Sequence, residues 1–184
     1  MSICVVTVIG NEITLSSSSQ NLHSDIQNNL FTVSRYTGSM VEKVKHPVST
    51  SRKTIRILEA LHDNGRAGVT ELANSVGMNK STVHNHLSTL KAESIVVQEG
   101  NEYALGLRLL EFGGKARKDR QLYTVAHDEI ERLAHQTGEL ANLVVEEYGQ
   151  AVYLDCEEGD DAIHLDIYPG LRRSLHVTAS GKAI

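Results

Sequence analysis

The sequence of 184 residues has no tryptophan, two cysteines, two prolines and aromatics at only 4%. Without tryptophan, a core has to be assembled mainly from Leu, Ile, Val and Ala. Cys4 and Cys156 stand far apart and neither belongs to a CxxC pair. That excludes a disulfide framework and a zinc finger, and it suits a reducing compartment. No apolar run approaches the roughly 18 residues that a membrane helix needs. The apolar stretch near residues 3–9 lacks the basic leader of a signal peptide, so a cytoplasmic location is expected. GxSxG, P-loop and HExxH patterns are all missing, so no catalytic constellation is legible and no enzyme is expected.

Net charge is −5, but it is unevenly distributed. Residues 1–47 carry three basic and three acidic groups, residues 48–118 ten and seven, and residues 119–184 five and thirteen. A basic module is therefore joined to an acidic one. Docking on a polyanion is governed by the local field of the docking face, so the acidic half does not exclude nucleic acid.

Residues 1–46 read as a poorly ordered extension. The apolar ICVVTVI has the composition of a lone strand, and the Ser- and Asn-rich segment after it has no helical period. An ordered arm or an extra strand is the other reading. Met40 opens MVEKVKHPV just before the first convincing helix, so residues 1–39 are expected to be an upstream extension.

From Ser49 the pattern sharpens. Pro47 blocks a helix before it, and Ser49, Thr50 or Ser51 can cap the next turn. Ile55, Leu58 and Leu61, with Ile57 beside them, recur at helical spacing until Asn64-Gly65. Thr70 has the chemistry of an N-cap for a short helix with Leu72, Ala73 and Val76 on its apolar face, broken by Gly77. In NKSTVHNHLSTLKAES, Val83, Leu87 and Leu90 fall at i, i+4 and i+7, with Asn79 or Ser81 as the cap. Two such helices across a glycine turn are the sequence form of a helix-turn-helix. IVVQEGNEYAL then gives two strands around Glu99-Gly100-Asn101, and this hairpin closes the unit as a winged helix over residues 47–105.

Residues 106–118 predict a linker helix whose Leu107, Leu109, Leu110 and Phe112 form an apolar face, with Gly113-Gly114 as a flexible break before a second helix ending near Gln136. Residues 119–184 predict strands in ANLVVEEYGQAVYLDCEEG on either side of Tyr148-Gly149-Gln150, a third strand in AIHLDIYPG, and a loop and helix from RSLHVTASGKAI.

The segments SRKTIRILEAL, VTELANSVGMNKSTVHNHLSTLKAESIV and YALGLRLLEFG, with the Gly170 loop and LHVTASGKAI, resemble the IclR family of transcriptional regulators, its archaeal-type members included. The resemblance covers about residues 47–184. It implies an α/β (α+β) protein with an N-terminal winged helix-turn-helix, a linker and dimerisation helix, and a GAF-like α/β effector-binding domain. It also implies double-stranded DNA as partner, a homodimer or tetramer, a small organic-acid effector, and no cofactor. The sequence departs from the family in its N-terminal stretch and in ending short of the family's sensor domain. An incomplete effector domain is therefore expected. The alternative is a truncated, non-sensing module that pairs with full-length family members.

On the third helix the face opposite the core carries Ser81, Thr82, Asn85, Ser88 and Thr89, with Lys80, His84 and His86 at its margins. Amide and hydroxyl groups there can read base edges, Asn85 as a partner for adenine and Lys80 for guanine or phosphate. Arg52 and Lys53 open the first helix where backbone phosphates pass, and Thr70 sits at the positive end of the second. Gln98 and Asn101 reach from the wing tip, although Glu99 and Glu102 work against phosphate there. A solvated polar face is the alternative reading of such a helix taken alone, and the preceding turn and following wing weigh against it.

In the acidic half, Gly170, Leu171, Arg172, His176, Thr178, Ser180 and Gly181 fall where the family lines or closes its pocket. Arg172 and Arg173 suit a carboxylate ligand, or ordinary pairing with Glu157, Glu158 or Asp160. No metal is expected. His84 and His86 face different ways on a helix, and His127, Glu131 and His135, although on one face, span about 12 Å of helical rise from end to end. EEGDD lacks the alternating spacing of a calcium loop and reads as an exposed acidic turn. The acidic neighbours of Cys156 should raise its thiol pKa, the wrong direction for a nucleophile.

Overall fold

A computed structural model describes residues 4–9, 12–15 and 45–177. They divide into two compact units. One lies within residues 43–115; the other combines residues from 116 onward with the two N-terminal strands.

In the first unit, α1 (Ser49–Asn64), β3 (Arg66–Gly68), α2 (Val69–Val76), α3 (Lys80–Ala92), β4 (Val96–Glu99) and β5 (Glu102–Leu105) follow in chain order. The strands form an antiparallel sheet in the order β3-β5-β4. Ile57, Leu61, Leu72, Val83 and Leu87 are fully buried in one core. Each helix thus presents a stripe spaced by three or four residues to the other two. On α1 the buried stripe is Ile57 and Leu61, with Leu58 packed beside them, whereas Ile55 is half exposed. The apolar repeat is displaced around the helix from the one expected.

No side chain caps α1, whose N-cap is Val48, or α2, whose N-cap is Gly68. Ser49, Thr50 and Ser51 lie inside the first turn of α1, and Thr70 is the second residue of α2. The expected caps are displaced because each helix begins one or two residues early. Gly77 ends α2 at φ +64°, its N–H reaching the Ala73 and Asn74 carbonyls. A side chain there would strain the left-handed backbone.

β3 has only three residues, too few for alternation to reveal, yet it pairs in register with β5 from Arg66↔Ala104 to Gly68↔Glu102. Gly106, just beyond the wing, donates its N–H to the Ile95 carbonyl at 2.8 Å. A Cβ at Gly106 would stand 2.5 Å from the Ser94 oxygen.

The helix α4 (Arg108–Lys118) runs unbroken through Gly113 and Gly114; the chain leaves helical geometry at Asp119 instead. Two glycines cost a helix about 1 kcal/mol each relative to alanine, and the good helix formers on both sides offset that cost.

In the second unit, with β1 (Cys4–Ile9) and β2 (Glu12–Leu15), the sheet order is β2-β1-β6-β7-β8, in which β6 (Ala141–Glu147), β7 (Gln150–Glu157) and β8 (Arg172–Ser174) are antiparallel in turn. The helix α5 (Gln121–Thr137) covers one face: Leu122, Ala126, Ile130 and Leu133 pack on Ala141, Leu143 and Leu154. Val144, Ala151, Tyr153 and Leu171 form the core of the other face.

Within the stretch expected to be a poorly ordered extension, β1 (Cys4–Ile9) pairs in parallel with β6, and β2 (Glu12–Leu15) pairs antiparallel with β1. Residues 16–44, Met40 among them, lie outside the described residues. AIHLDIYPG is not a strand: Ile163 is exposed, and Ile167 packs against the sheet from a loop. The third strand of this region is β8 instead. A short 3-10 turn (Leu175–Val177) follows it. EEGDD keeps Glu158 and Asp160 exposed, but Gly159 between them is held against the end of α5, its N–H bonded to the Glu139 carbonyl at 3.1 Å.

Gly106→Ala is expected to lower the stability of the winged-helix unit by about 1–3 kcal/mol, because the methyl group has rigid backbone in its way. The midpoint of urea unfolding measures it; an unchanged midpoint would show that the loop yields freely.

Candidate nucleic-acid interface

The outward face of α3 is set by its inward one. Val83, Leu87 and Leu90 are buried. At about 100° per residue, Ser81, Asn85 and Ser88 then lie opposite them, and all three are exposed. Lys80, His84 and Lys91 share one flank and Thr82, His86 and Thr89 the other, by the same spacing.

Asn79 caps α3. Its Oδ1 accepts the Thr82 N–H at 2.8 Å and the Ser81 hydroxyl at 3.1 Å. Of the two expected caps Asn79 serves, and Ser81 is held in place by it. Thr89 donates its hydroxyl to the Asn85 carbonyl at 3.0 Å, an internal bond that leaves it less free to reach outward than Asn85 or Ser88. His86 is turned toward α1, with Nδ1 2.9 Å from the Thr54 hydroxyl. That hydroxyl also donates to the Thr50 carbonyl at 3.1 Å, so the imidazole supplies the proton of the Thr54–His86 bond. Lys80, His84, Asn85 and Ser88 are the exposed polar groups of α3 least occupied by the protein itself.

Thr70, Glu71 and Asn74 of α2, His84 of α3, and Gln98, Asn101 and Glu102 of the wing line an open cleft of about 800 Å³. The structure thus brings Thr70, His84, Gln98 and Asn101 together. Arg52 and Lys53 are exposed in the first turn of α1 and do not line that cleft.

At the wing, Arg66 of β3 forms an ion pair with Glu99 and holds its carboxyl below the usual carboxylate range. The Lys91 ammonium donates to Gln98 Oε1 at 2.9 Å, tying the end of α3 to β4. Arg56 donates to the Val76 carbonyl at 2.6 Å and so completes the end of α2 before the turn into α3. Lys91, Arg66 and Arg56 were not singled out in the sequence. The stripe Lys80-His84-Lys91 was legible as i, i+4 and i+11; Arg66 and Arg56 act across the fold, where spacing gives no signal.

In the second unit, Gly170 is exposed at φ +95° and Leu171 is buried in the sheet core. The Gly170 N–H reaches the Tyr153 carbonyl at 2.8 Å, so this loop is fastened to β7. Arg172 pairs with Glu147 at 3.5 Å, not with Glu157, Glu158 or Asp160, because β8 lies beside β7 and places it near the end of β6. Arg173 and His176 are exposed. Thr178, Ser180 and Gly181 lie outside the described residues. The Cys156 thiol is pushed up to about 12 by burial first and by Asp155 and Glu157 second, which removes it as a nucleophile.

Three helices with an antiparallel wing, an outward polar face on the third helix and basic residues flanking it define a winged helix-turn-helix protein of the transcription-regulator class. The family models agree with that geometry. The IclR helix-turn-helix domain matches residues 52–100, and the C-terminal domain of the bacterial transcriptional regulator IclR matches residues 114–184. The chain belongs to the IclR family of transcriptional regulators. It is 35% identical to the HTH-type transcriptional regulator KdgR of Dickeya chrysanthemi over 83% of this chain and 52% of that protein. With KdgR of Escherichia coli the identity is 34%, over 78% and 56%. The crystal structure of the Thermotoga maritima IclR superposes with a TM-score of 0.59 at 28% identity, covering 73% of this chain and 56% of that one. The chain spans about half the length of the curated relatives it matches. The relatives are regulators, and the expectation of a non-enzymatic protein accords with their names. No helix among the described residues is long and apolar enough to cross a membrane.

Asn79→Ala is expected to cost about 1 kcal/mol and to fray the first turn of α3, since the Thr82 amide and the Ser81 hydroxyl both lose their acceptor. Amide hydrogen exchange over residues 80–84 reads this locally, and unchanged protection there would contradict it.

Proposed function

We propose that the chain binds operator DNA through α3 as a transcriptional regulator in the cytoplasm. The observation that carries this reading is the face of Ser81, Asn85 and Ser88 turned away from the core, with the cations Lys80 and Lys91 at its flank. Asn85 pairs with a base edge, Lys80 with guanine or phosphate, and Ser81, Thr82, His84, Ser88 and Thr89 complete the contact surface. Arg52 and Lys53 hold backbone phosphates from α1, and Thr70 does so from the first turn of α2.

Two copies pair through α4 and the turn that leads into it, where Leu107, Leu110 and Phe112 are 81%, 71% and 52% exposed. Large apolar side chains so exposed favour a protein partner over water. A homodimer or tetramer presents two recognition helices to two half-sites. A small organic acid is the effector class that fits the exposed Arg173, with Gly170, Leu171, Arg172 and His176 in the same stretch of chain; Thr178, Ser180 and Gly181, expected to belong to that site, lie outside the described residues. The same exposed side chains support a second reading, in which the chain senses nothing and pairs with full-length family members to alter their DNA binding.

Fluorescence anisotropy of the full chain on the DNA upstream of its own gene, against a scrambled duplex, separates these readings. Selective binding is expected. Asn85→Ala should weaken it by about 1–3 kcal/mol on the cognate duplex and relax discrimination. Lys80→Ala should weaken binding to both duplexes if Lys80 meets phosphate, and only to the cognate one if it meets guanine. Equal, weak binding to both duplexes, unchanged in Asn85→Ala, would overturn autonomous operator binding and leave the partner-dependent module.

A further inference from the structure

Away from the DNA-facing unit, α5 and β7 converge on a cluster that the proposed function does not use. His127 lies on α5, and Asp155 and Glu157 lie two residues apart on β7. One imidazole nitrogen and one oxygen from each carboxylate all fall within 4.8 Å of one another. Asp155 is only 2% exposed, which is unusual for a carboxylate. The backbone aims it there. The register between β6 and β7 passes from Leu143↔Asp155 to Val144↔Tyr153, so Leu154 is an extra residue on β7. This bulge lets Leu154 join the core beneath α5 while Asp155 reaches His127 from the same strand.

The helix alone cannot chelate, because His127 and His135 are too far apart along it. The strand removes that obstacle: it supplies two ligands, and α5 has to supply only one. Facing the cluster are His127, Glu131 and His135 from α5, Asp155 and Glu157 from β7, and Arg117 from α4.

We infer that His127, Asp155 and Glu157 form a binding site for one divalent transition-metal cation of the zinc type, bracing α5 against β7. One imidazole nitrogen and two carboxylate oxygens are a donor set that such ions accept, with a fourth position left to water or to Glu131. At metal–ligand distances of about 2.1 Å, tetrahedral ligand atoms stand about 3.4 Å apart. His127 Nδ1 and Asp155 Oδ2 are now 2.7 Å apart, joined by a hydrogen bond, and have to open by about 0.7 Å. The widest pair in the cluster has to close by about 1.4 Å. His127 and Glu157 are both only partly buried, so side-chain rotation can supply these movements. Arg117, 3.6 Å from Asp155, stays as its outer partner and orients the carboxylate.

The test is titration of the full chain with zinc chloride in competition with a chromophoric chelator. One zinc ion per chain is expected to bind, and the thermal unfolding midpoint should rise with it. His127→Gln and Glu157→Gln should each weaken that binding by about tenfold or more. His62→Gln and His164→Gln, which alter exposed histidines elsewhere, should leave it unchanged. Asp155→Asn removes a buried partner of Arg117 and threatens the fold, so the two milder variants decide, with circular dichroism confirming that they are folded. If zinc binds no better than to unrelated surface histidines, or if it binds equally well to both variants, the cluster is an ion-pair network and the inference fails.

Discussion

The burial of Val83, Leu87 and Leu90 is the constraint on which the winged-helix unit depends. These three side chains fix the rotation of α3 about its own axis, and with it every direction in which a polar group can point. Truncating Leu87 or Leu90 to alanine would cost roughly 2–5 kcal/mol. A change in that rotation would do more damage, since Asn85 would leave the outward face. The interface is in this sense a by-product of the core. Its composition is free to vary, while its position is not.

Hydrogen bonds at the ends of the elements refine what the core sets. Asn79 closes the start of α3, Arg56 closes the end of α2, and the Thr54–His86 pair ties α3 to α1. Each joins residues whose separation in space is fixed by the apolar contacts. They act as locks on an arrangement that packing selects. The Gly106 backbone does the same for the wing, because the loop after β5 can pass the Ser94–Ile95 backbone only where no side chain intervenes.

How much of this could be read in advance varied with the range of the interaction. The winged helix was legible because its signals are local: the i, i+4, i+7 stripe of α3, the glycine turn before it, and the EGN turn between β4 and β5. The outward polar face followed from that stripe without further information. Helix starts were misjudged because Ser49 and Thr70 have capping chemistry, but the chain enters helical geometry at or before them. Unbroken helix through Gly113-Gly114 was hidden because propensity acts residue by residue, whereas helix formation is cooperative over the whole segment. β3 and β8 have three residues each and borrow their stability from their neighbours, so nothing in their own composition marks them. AIHLDIYPG has the alternation of a strand, but the place beside β7 is taken by β8. The pairing of β1 with β6 joins residues far apart in the sequence, and the bulge that aims Asp155 is a property of two strands together. Both belong to tertiary structure alone.

The wing carries its own compensation, since Arg66 and Glu99 pair with each other. The groups at the centre of the outward face of α3, Ser81, Asn85 and Ser88, are neutral. In the proposed complex, the charges that displace condensed counterions from a duplex are then those at the margins of that face, Lys80 with Arg52 and Lys53. Affinity and discrimination are thereby carried by different atoms. In the proposed complex, rising ionic strength would therefore loosen the hold on every duplex through those marginal charges, and the neutral outward face would be the part that salt touches least.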